Sequence, residues 1–282
     1  MILPQSAVVR IVGVALEEDL GRGDITTDAC VEPGARGEAR MTARHALVFC
    51  GAPVVREVFR QVDPEVKVTE RCREGDKLKR GQTALTLSGP AASMLKAERV
   101  ALNFAQRMSG IATLARAYVD RVPRNCWARI TDTRKTTPGL RVLERYAVSC
   151  GGAYNHREDL SSAVLIKDNH VAACGSIKQA LLMARVKAPH TSRICCEVDN
   201  LAQLREALQA GAEVIMLDNF NDRALRRAVA EVAGRALIEV SGGVTLERVA
   251  AIARAGVDVI SVGALTHSAP AADIALDWIA RK

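Results

Sequence analysis

The spacing of apolar residues has two different periods in the first part of the chain. A helical pattern over residues 7–19 predicts a short helix close to the start. Brief alternating stretches then predict strands around residues 37–42, 47–50, 66–70 and 83–88. Up to about residue 90, the chain is therefore predicted to be an α+β region.

A long helical pattern follows over residues 90–122 and includes Leu95, Leu102 and Leu114. Ser109 and Gly110 weaken this pattern, so we expect an interruption of the helix at that point.

Beyond this helix the pattern becomes a series of strand–helix units. Gly211 and Gly256 each end a helical segment, where a left-handed residue commonly closes a helix. Strands that alternate with helices indicate a parallel sheet, and this many units favour a barrel. The predicted strands lie at 128–130, 164–166, 194–198, 214–217, 237–240 and 259–262.

The composition narrows the class of partner. Of the 282 residues, 49% are hydrophobic and 25% charged, as in ordinary globular proteins, and only 3% are aromatic. The net charge of +7 could suit nucleic acid, membranes or acidic small molecules. Because the basic residues are spread along the chain and aromatic platforms are few, we expect no nucleic-acid partner.

The eight cysteines form no C-x-x-C pair and have no histidine at ligand spacing. Most lie in apolar runs, so we expect reduced thiols and a cytoplasmic location. The apolar run over residues 11–16 is too short to span a bilayer, and we expect no membrane association.

Polar side chains follow every predicted barrel strand. The carboxyl ends of the strands in a parallel barrel face one mouth, where active sites are built. Polar residues at every end, with both cations and carboxylates among them, predict an active site there. The strand ends are DTRK (132–135), KDNH (167–170), EVDN (197–200), DN (218–219), SGG (241–243) and VGA (262–264).

The last two strand ends predict a phosphate site, because barrels commonly bind phosphate there through close backbone N–H groups. Either glycine group alone could equally be an ordinary turn. Together they favour phosphate binding by Ser241, Gly242, Gly243, Val262, Gly263 and Ala264.

The cations predict a substrate with several negative charges. One phosphate does not need five cations, whereas a polyanion with carboxylates and a diphosphate does. The residues are Arg134, Lys135, His156, Arg157 and Lys167.

Two carboxylates, Glu197 and Asp218, lie at neighbouring strand ends in this cationic site. They would repel an anionic substrate unless they hold a metal, ribose hydroxyls or a developing positive charge. Transfer from a 5-phosphoribosyl diphosphate meets all three requirements, because the sugar becomes cationic as the diphosphate leaves.

Several ordered motifs resemble the quinolinate phosphoribosyltransferase family over nearly the whole chain. They are ERVALNF (98–104), DTRKTTPGLR (132–141), GGAYNHR (151–157), KDNH (167–170), MLDN (216–219), EVSGG (239–243) and VGALTH (262–267). The resemblance implies that quinolinate and phosphoribosyl diphosphate give nicotinate mononucleotide, diphosphate and carbon dioxide, with Mg²⁺, in NAD biosynthesis.

The resemblance also implies an open, TIM-like α/β barrel, an N-terminal α/β sandwich and a homodimer with shared sites. We expect the sandwich over residues 1–110 and the barrel over 111–269. A C-terminal helix over about 270–282 would pack on the sandwich.

Site roles carried over from the family follow the motifs. Quinolinate would meet Arg99 of the partner subunit together with Arg134, His156, Arg157 and Lys167, and Thr133 would also bind substrate. Lys135 and Lys167 would meet the diphosphate, with His267 as a helper. Glu197 and Asp218 would hold the ribose and the metal, the latter through substrate or water, and the two glycine groups would hold the 5-phosphate. After Arg157, this chain has residues EDLSS (158–162) where the family usually has a Gly-Leu pair and an Asp.

Two alternatives stay open at this point. One is a related phosphoribosyltransferase that uses nicotinate, or a paralogue associated with molybdate transport. The other is a phosphate-ligand binding protein without turnover, which would have no reason to place Glu197 and Asp218 in an anion site.

Overall fold

The computed structural model describes residues 2–279. The chain forms two compact units. The first comprises residues up to 116, residues 136–152 and those from 264 onward, and the second comprises residues 117–135 and 153–263.

The helices of the described residues are α1 (Gln5–Leu20), α2 (Ile25–Cys30), α3 (Ala52–Val62), α4 (Ala91–Val119), α5 (Arg141–Cys150), α6 (Asp168–Cys174), α7 (Ile177–Lys187), α8 (Leu201–Gln209), α9 (Asp222–Val232), α10 (Val249–Arg254) and α11 (Ala264–His267). The strands are β1 (Arg36–Ala43), β2 (Leu47–Val48), β3 (Lys67–Glu70), β4 (Lys77–Leu78), β5 (Thr83–Pro90), β6 (Arg129–Thr131), β7 (Val164–Ile166), β8 (Ile194–Val198), β9 (Val214–Asp218), β10 (Leu237–Ser241), β11 (Val259–Ser261) and β12 (Ile274–Trp278).

The first unit is built on a four-stranded antiparallel sheet in the order β12-β1-β5-β3. Alternate residues such as Met41 and Leu85 are fully buried, as expected for strands with one face in a core. Helix α3 contacts α1 and β3, and it buries Val54, Val58 and Phe59. The strands and first helix predicted for this region are confirmed.

The helix predicted over residues 270–282 is wrong for the part that the structure describes. Residues 274–278 form β12, which pairs antiparallel with β1 from Ala43↔Ile274 to Ala39↔Trp278. Ile274 and Leu276 are buried and alternate with Ala275 and Asp277, which is the period of a strand. The exposed edge of β1 also needs hydrogen-bond partners, and β12 supplies them. Residues 280–282 lie outside the described part.

The predicted interruption at Ser109 and Gly110 is also wrong, because α4 continues through both residues. Ser109 Oγ accepts a hydrogen bond from the Cys50 N–H at 3.0 Å and donates to the Cys50 carbonyl at 3.1 Å. At Gly110, an added Cβ would lie 2.0 Å from the carbonyl oxygen of Pro270. The two residues therefore permit close packing of the helix and do not break it.

The second unit contains six parallel strands in the order β6-β11-β10-β9-β8-β7. All six predicted strands are present, and helices connect most of them, as the predicted open TIM-like α/β barrel requires. Gly211 and Gly256 have φ of +74° and +93° just after α8 and α10, which confirms their predicted place at helix ends. None of the described helices has the length and apolarity needed to cross a membrane.

Gly110→Ala tests the packing of α4, with Gly13→Ala in α1 as the matched helical control. At Gly13 an added Cβ meets only a flexible Gln61 side-chain atom, at 3.5 Å. We expect Gly110→Ala to destabilise the protein by about 1–3 kcal/mol through overpacking. Gly13→Ala should be neutral or stabilising by about 0.5–1 kcal/mol, because alanine favours a helix. Thermal unfolding of both variants measures the difference, and a Gly110→Ala protein as stable as wild type would contradict the packing.

Candidate active site

The strand register places several charged side chains on one face of the parallel sheet. Residues paired across neighbouring parallel strands point to the same face, and alternate residues along a strand share it. Glu197 and Glu239 both pair with Met216, and Asp218 pairs with Ser241. These polar residues therefore share one face. The opposite face carries the buried apolar residues Ile215, Leu217, Ile238, Val240 and Ile260.

Lys167 follows β7, and its Nζ lies 3.1 Å from Glu197 Oε2. The side chain of Glu197 is 13% exposed and that of Lys167 is 45% exposed, so the carboxylate is the more desolvated partner. The Lys167 N–H donates to His170 Nδ1 at 2.9 Å, which fixes the main chain where α6 begins. An anionic ligand that reaches Lys167 would compete with Glu197 for the ammonium group.

Arg134 and Arg157 place two half-buried guanidinium groups in the same unit. Burial lowers the pKa of Arg157, and the positive charge of Arg134 lowers it further. Arg157 Nη1 donates to the carbonyl oxygen of Ala163 at 3.0 Å, which orients its guanidinium group. Both guanidinium groups can offer planar pairs of N–H donors to an anionic ligand.

Asp132 fixes the segment that leads to Arg157. It is fully buried, and its two oxygens accept from Asn155 Nδ2 at 2.6 Å and from the His156 N–H at 2.7 Å. Thr131 forms a single parallel bridge to Tyr154 just before it. The sequence marked Asp132 only as a strand end, and the structure shows that it holds the loop in place.

The His156 ring lies between the main chain and a second buried carboxylate. Its Nδ1 accepts the Arg157 N–H at 2.7 Å, and its Nε2 lies 3.3 Å from Glu239 Oε1. The hydroxyl of Ser261 donates to the same Glu239 oxygen. Sequence reasoning missed Glu239, although a carboxylate inside the apolar strand 237–240 was a signal that could have revealed it.

The turn after β10 lies against the end of β9. Gly242 has φ of +81°, and an added Cβ would lie 2.2 Å from Asn219 Oδ1 and 2.8 Å from Asp218 Oδ1. The Asn219 N–H donates to the Ser241 carbonyl at 3.1 Å. Glycine is required here, because any side chain would collide with Asp218 and Asn219. The next residue, Gly243, also has a positive φ, of +57°.

At the end of β11, the Val262 N–H donates to the Thr131 carbonyl at 2.9 Å, and Gly263 is the next residue.

The carboxylates Glu197 and Asp218 offer the donors of a magnesium site. Mg²⁺ prefers oxygen ligands and usually binds through one or two carboxylates, with substrate phosphates and water completing its shell. Asp218 Oδ2 accepts from Asn219 Nδ2 at 2.7 Å, which leaves its other oxygen available for a ligand. Two carboxylates on one face of adjacent strands fit such a partly substrate-held ion.

Within residues 2–279, one group of three potential metal ligands has its ligand atoms close together. It lies in the first unit, which does not contain Glu197 and Asp218. It consists of Cys50, Glu74 and Cys150. Glu74 accepts the N–H groups of Gly51 and Ala52, at 3.0 and 2.8 Å, where α3 begins. Burial raises the pKa of Cys50, with a further rise from Cys150 and Glu74. Glu74 therefore caps the start of α3, and burial favours the thiol form of Cys50.

The remaining predicted site residues divide between the two units. Thr133 Oγ1 accepts the N–H of the exposed Lys135 at 3.1 Å in the barrel unit. Arg99, exposed on α4, and Ala264 and His267, on α11, belong to the other unit. His267 Nδ1 lies 2.6 Å from Ser268 Oγ.

Arg107 forms a hydrogen-bond network that the sequence analysis did not predict. Its guanidinium group donates to Glu144 Oε1 at 2.7 and 3.1 Å, to Thr137 Oγ1 at 3.3 Å and to the carbonyls of Thr266 and Ala269. The side chain of Glu144 is only 1% exposed, so this pair is desolvated. Arg107 thereby joins α4, α5 and the segment that contains α11.

The departure from the family pattern after Arg157 forms a compact turn. Asp159 Oδ1 accepts from the N–H groups of Ser161 and Ser162, both at 2.9 Å. Ser162 Oγ in return accepts from the N–H groups of Glu158 and Asp159, at 3.0 and 3.1 Å. The hydroxyl of Ser161 is the main reason that the pKa of Asp159 is lowered. The substituted residues thus support their own turn.

The structure is an open α/β barrel whose strand ends carry cations, two carboxylates and glycine turns. These features are typical of α/β-barrel enzymes that bind small anionic ligands. Sequence comparison identifies the family. Models of the C-terminal and N-terminal domains of quinolinate phosphoribosyl transferase match residues 111–277 and 24–109. The chain belongs to the quinolinate phosphoribosyltransferase family, which confirms the resemblance expected from its motifs.

Individual relatives agree over most of their length. A probable carboxylating nicotinate-nucleotide pyrophosphorylase of Bacillus subtilis is 45% identical, over 92% of this chain and 89% of its own. The carboxylating nicotinate-nucleotide pyrophosphorylase of Mycobacterium leprae is 46% identical, over 93% of this chain and 94% of its own. The crystal structure of the nicotinate-nucleotide pyrophosphorylase of Ehrlichia chaffeensis aligns with a TM-score of 0.93 at 40% identity, over 99% of this chain and 100% of that one.

Proposed function

We propose that this protein transfers the phosphoribosyl group of 5-phosphoribosyl 1-diphosphate to quinolinate. The products are nicotinate mononucleotide, diphosphate and carbon dioxide, in the de novo synthesis of NAD. Family membership supports this reaction. The observation that carries it is the set of charged side chains at the strand ends, where Lys167 pairs with Glu197 at 3.1 Å and Asp218 shares the face of Glu197.

Quinolinate has two adjacent carboxylates, and the cations suit both. Arg134 and Arg157 would each pair with carboxylate oxygens through their planar forks. Lys167 supplies a third positive charge at the end of β7. Its ammonium group would leave the ion pair with Glu197 and bind a carboxylate of the substrate instead. Thr133 and His156 lie on the same two loops and complete this side of the site.

The ribose and phosphates would occupy the ends of β8 to β11. Glu197 and Asp218 stabilise the positive charge that develops on the sugar as the diphosphate leaves. Lys135 and Lys167 neutralise the diphosphate, with His267 as a helper. The 5-phosphate would bind at the turns formed by residues 241–243 and 262–264, where Gly242 and Gly243 keep the approach to the main chain open.

The chemistry then needs no side-chain nucleophile. The ring nitrogen of quinolinate forms a bond to the sugar carbon while the bond from that carbon to the diphosphate breaks. The ring nitrogen is now cationic, so it accepts the electron pair released when the neighbouring carboxylate leaves as carbon dioxide. A proton from solvent takes the place of the lost carboxylate on that carbon.

Mg²⁺ is part of this proposal. Glu197 and Asp218 would hold it, largely through substrate and water, and it would neutralise the charge of the leaving diphosphate.

The proposal includes a homodimer in a reducing cytoplasm. Arg99 lies exposed on α4, in the unit that does not contain Lys167. In a two-fold dimer, Arg99 of one subunit would serve the site of its partner.

The substrate assay uses purified protein, phosphoribosyl diphosphate and Mg²⁺ with either quinolinate or nicotinate. Release of carbon dioxide and formation of nicotinate mononucleotide are measured. Nicotinate lacks the second carboxylate and would leave a buried cation without its substrate partner, which costs about 1–3 kcal/mol, or about fivefold to over a hundredfold in rate. Comparable rates with the two substrates would contradict the dicarboxylate site.

Variants separate the carboxylates from the cations. We expect Glu197→Gln and Asp218→Asn to lower kcat more than they weaken quinolinate binding, because both act on charge that appears in the transition state. Lys167→Ala and Arg134→Ala should raise the Kd of quinolinate as well. Glu18→Gln and Lys178→Ala, at exposed positions of α1 and α7, are the matched controls. Carboxylate variants that lose binding but keep turnover would contradict these roles.

Mixed dimers test the shared site. Homodimers of Arg99→Ala and of Lys167→Ala should each be nearly inactive. Refolding an equal mixture should make half the dimers hybrid, each with one intact site, so that activity recovers to about a quarter of wild type. Hybrid dimers confirmed by mass but without recovered activity would show that Arg99 does not complement its partner's site.

A further inference from the structure

Glu239 is a carboxylate inside the parallel sheet, and it is only 5% exposed. Its neighbours along β10, Ile238 and Val240, are buried on the opposite face. A carboxylate at such a position is unfavourable unless its oxygens are hydrogen bonded. Glu239 Oε1 accepts a hydrogen bond from the hydroxyl of Ser261 on β11 and lies 3.3 Å from His156 Nε2.

The second nitrogen of His156 determines where the ring proton lies. Nδ1 accepts the Arg157 N–H at 2.7 Å, and a nitrogen that accepts a hydrogen bond carries no proton. The single ring proton is then on Nε2, where it faces Glu239. A carboxylate that holds an imidazole in one tautomer is the arrangement found in hydrolase triads, where the carboxylate stays ionised and the ring is neutral at rest.

We propose that Glu239 holds His156 as a neutral imidazole, and that together they are positioning residues for Arg157. This inference rests on the proposed function, because it assigns Arg157 to the substrate carboxylates. It also changes the expected role of His156, which the motifs had placed among the cations around quinolinate. Its ring is a link between the sheet and the Arg157 main chain.

The link is one of three restraints on the same short loop. Asp132 holds the main-chain N–H of His156 at 2.7 Å, and Ala163 holds the guanidinium group of Arg157 at 3.0 Å. Glu239 acts through the ring on the next N–H along the chain. Together these restraints fix the main chain at residues 156 and 157 and orient the guanidinium group of Arg157 before a ligand binds.

The tautomer can be observed directly. The chain has five histidines, so ¹⁵N-histidine labelling gives few signals, and a His156→Gln variant identifies the signals of His156. In the ligand-free protein near neutral pH, we expect His156 to show a protonated Nε2 and an unprotonated Nδ1. Two protonated nitrogens would overturn the proposal, since the ring would then be a cation. This measurement does not depend on activity and would stand even if the protein had another substrate.

Kinetics of two Glu239 variants test the positioning role. Glu239→Gln keeps Oε1, which can accept from both His156 Nε2–H and the Ser261 hydroxyl, as the carboxylate does. We therefore expect nearly wild-type constants and an unchanged His156 tautomer. Glu239→Leu has a similar volume but no acceptor, so the KM of quinolinate should rise about tenfold, equivalent to about 1.4 kcal/mol. The KM of phosphoribosyl diphosphate should stay within about twofold.

Each of the remaining outcomes supports or overturns the positioning role. A Glu239→Gln protein as impaired as Glu239→Leu would show that the charge, and hence an imidazolium partner, is what matters, and would overturn the proposal. Equal rises in the two KM values would show a general structural defect and would contradict the positioning role. Unchanged KM values for both substrates would contradict it as well.

If Glu239→Leu does not fold, the Glu239→Gln kinetics and the His156 spectrum still test the proposal. Glu18→Leu, at an exposed position of α1, is the matched control. If quinolinate is not turned over at all, the proposed function fails, while the spectrum tests the Glu239–His156 link separately.

Discussion

Parallel pairing of the six barrel strands is the constraint on which the site depends. Main-chain hydrogen bonds between neighbouring strands fix their register, and a shift by one residue would turn every side chain to the opposite face. With the observed register, Glu197, Asp218 and Glu239 point to the same face, and the apolar residues between them point to the helices. The burial of that apolar face therefore also decides where the charges lie.

Three carboxylates of this unit have partners within the protein before any ligand arrives. Lys167 pairs with Glu197, His156 faces Glu239, and Asp132 binds the main chain at residue 156. Arg157 is oriented by the carbonyl oxygen of Ala163, and burial lowers its pKa. An anionic substrate would bring negative charge to this guanidinium group, which stabilises its charged form.

The residues missed from the sequence are those whose partners are distant in the chain. Arg107 and Glu144 are 37 residues apart, and nothing in either local sequence marks them as a pair. Glu239 and Ser261 lie on neighbouring strands, and neither was assigned a role of its own or a partner from the sequence. The C-terminal segment was predicted as a helix, and only the open edge of β1 decides that it forms a strand.

The sequence by itself determined the order of strands and helices, the family and the strand ends that carry the chemistry. These features depend on local periodicity and on motifs of a few residues, which are present in the chain before it folds. The helical path through Ser109 and Gly110, the strand at 274–278 and the partners of Glu239 were decided only by tertiary structure. Each depends on a group supplied by a remote segment: the main chain of Cys50 and Pro270, the edge of β1, and the ring of His156. A local pattern cannot encode such contacts, because their free energy exists only once the two segments have been brought together.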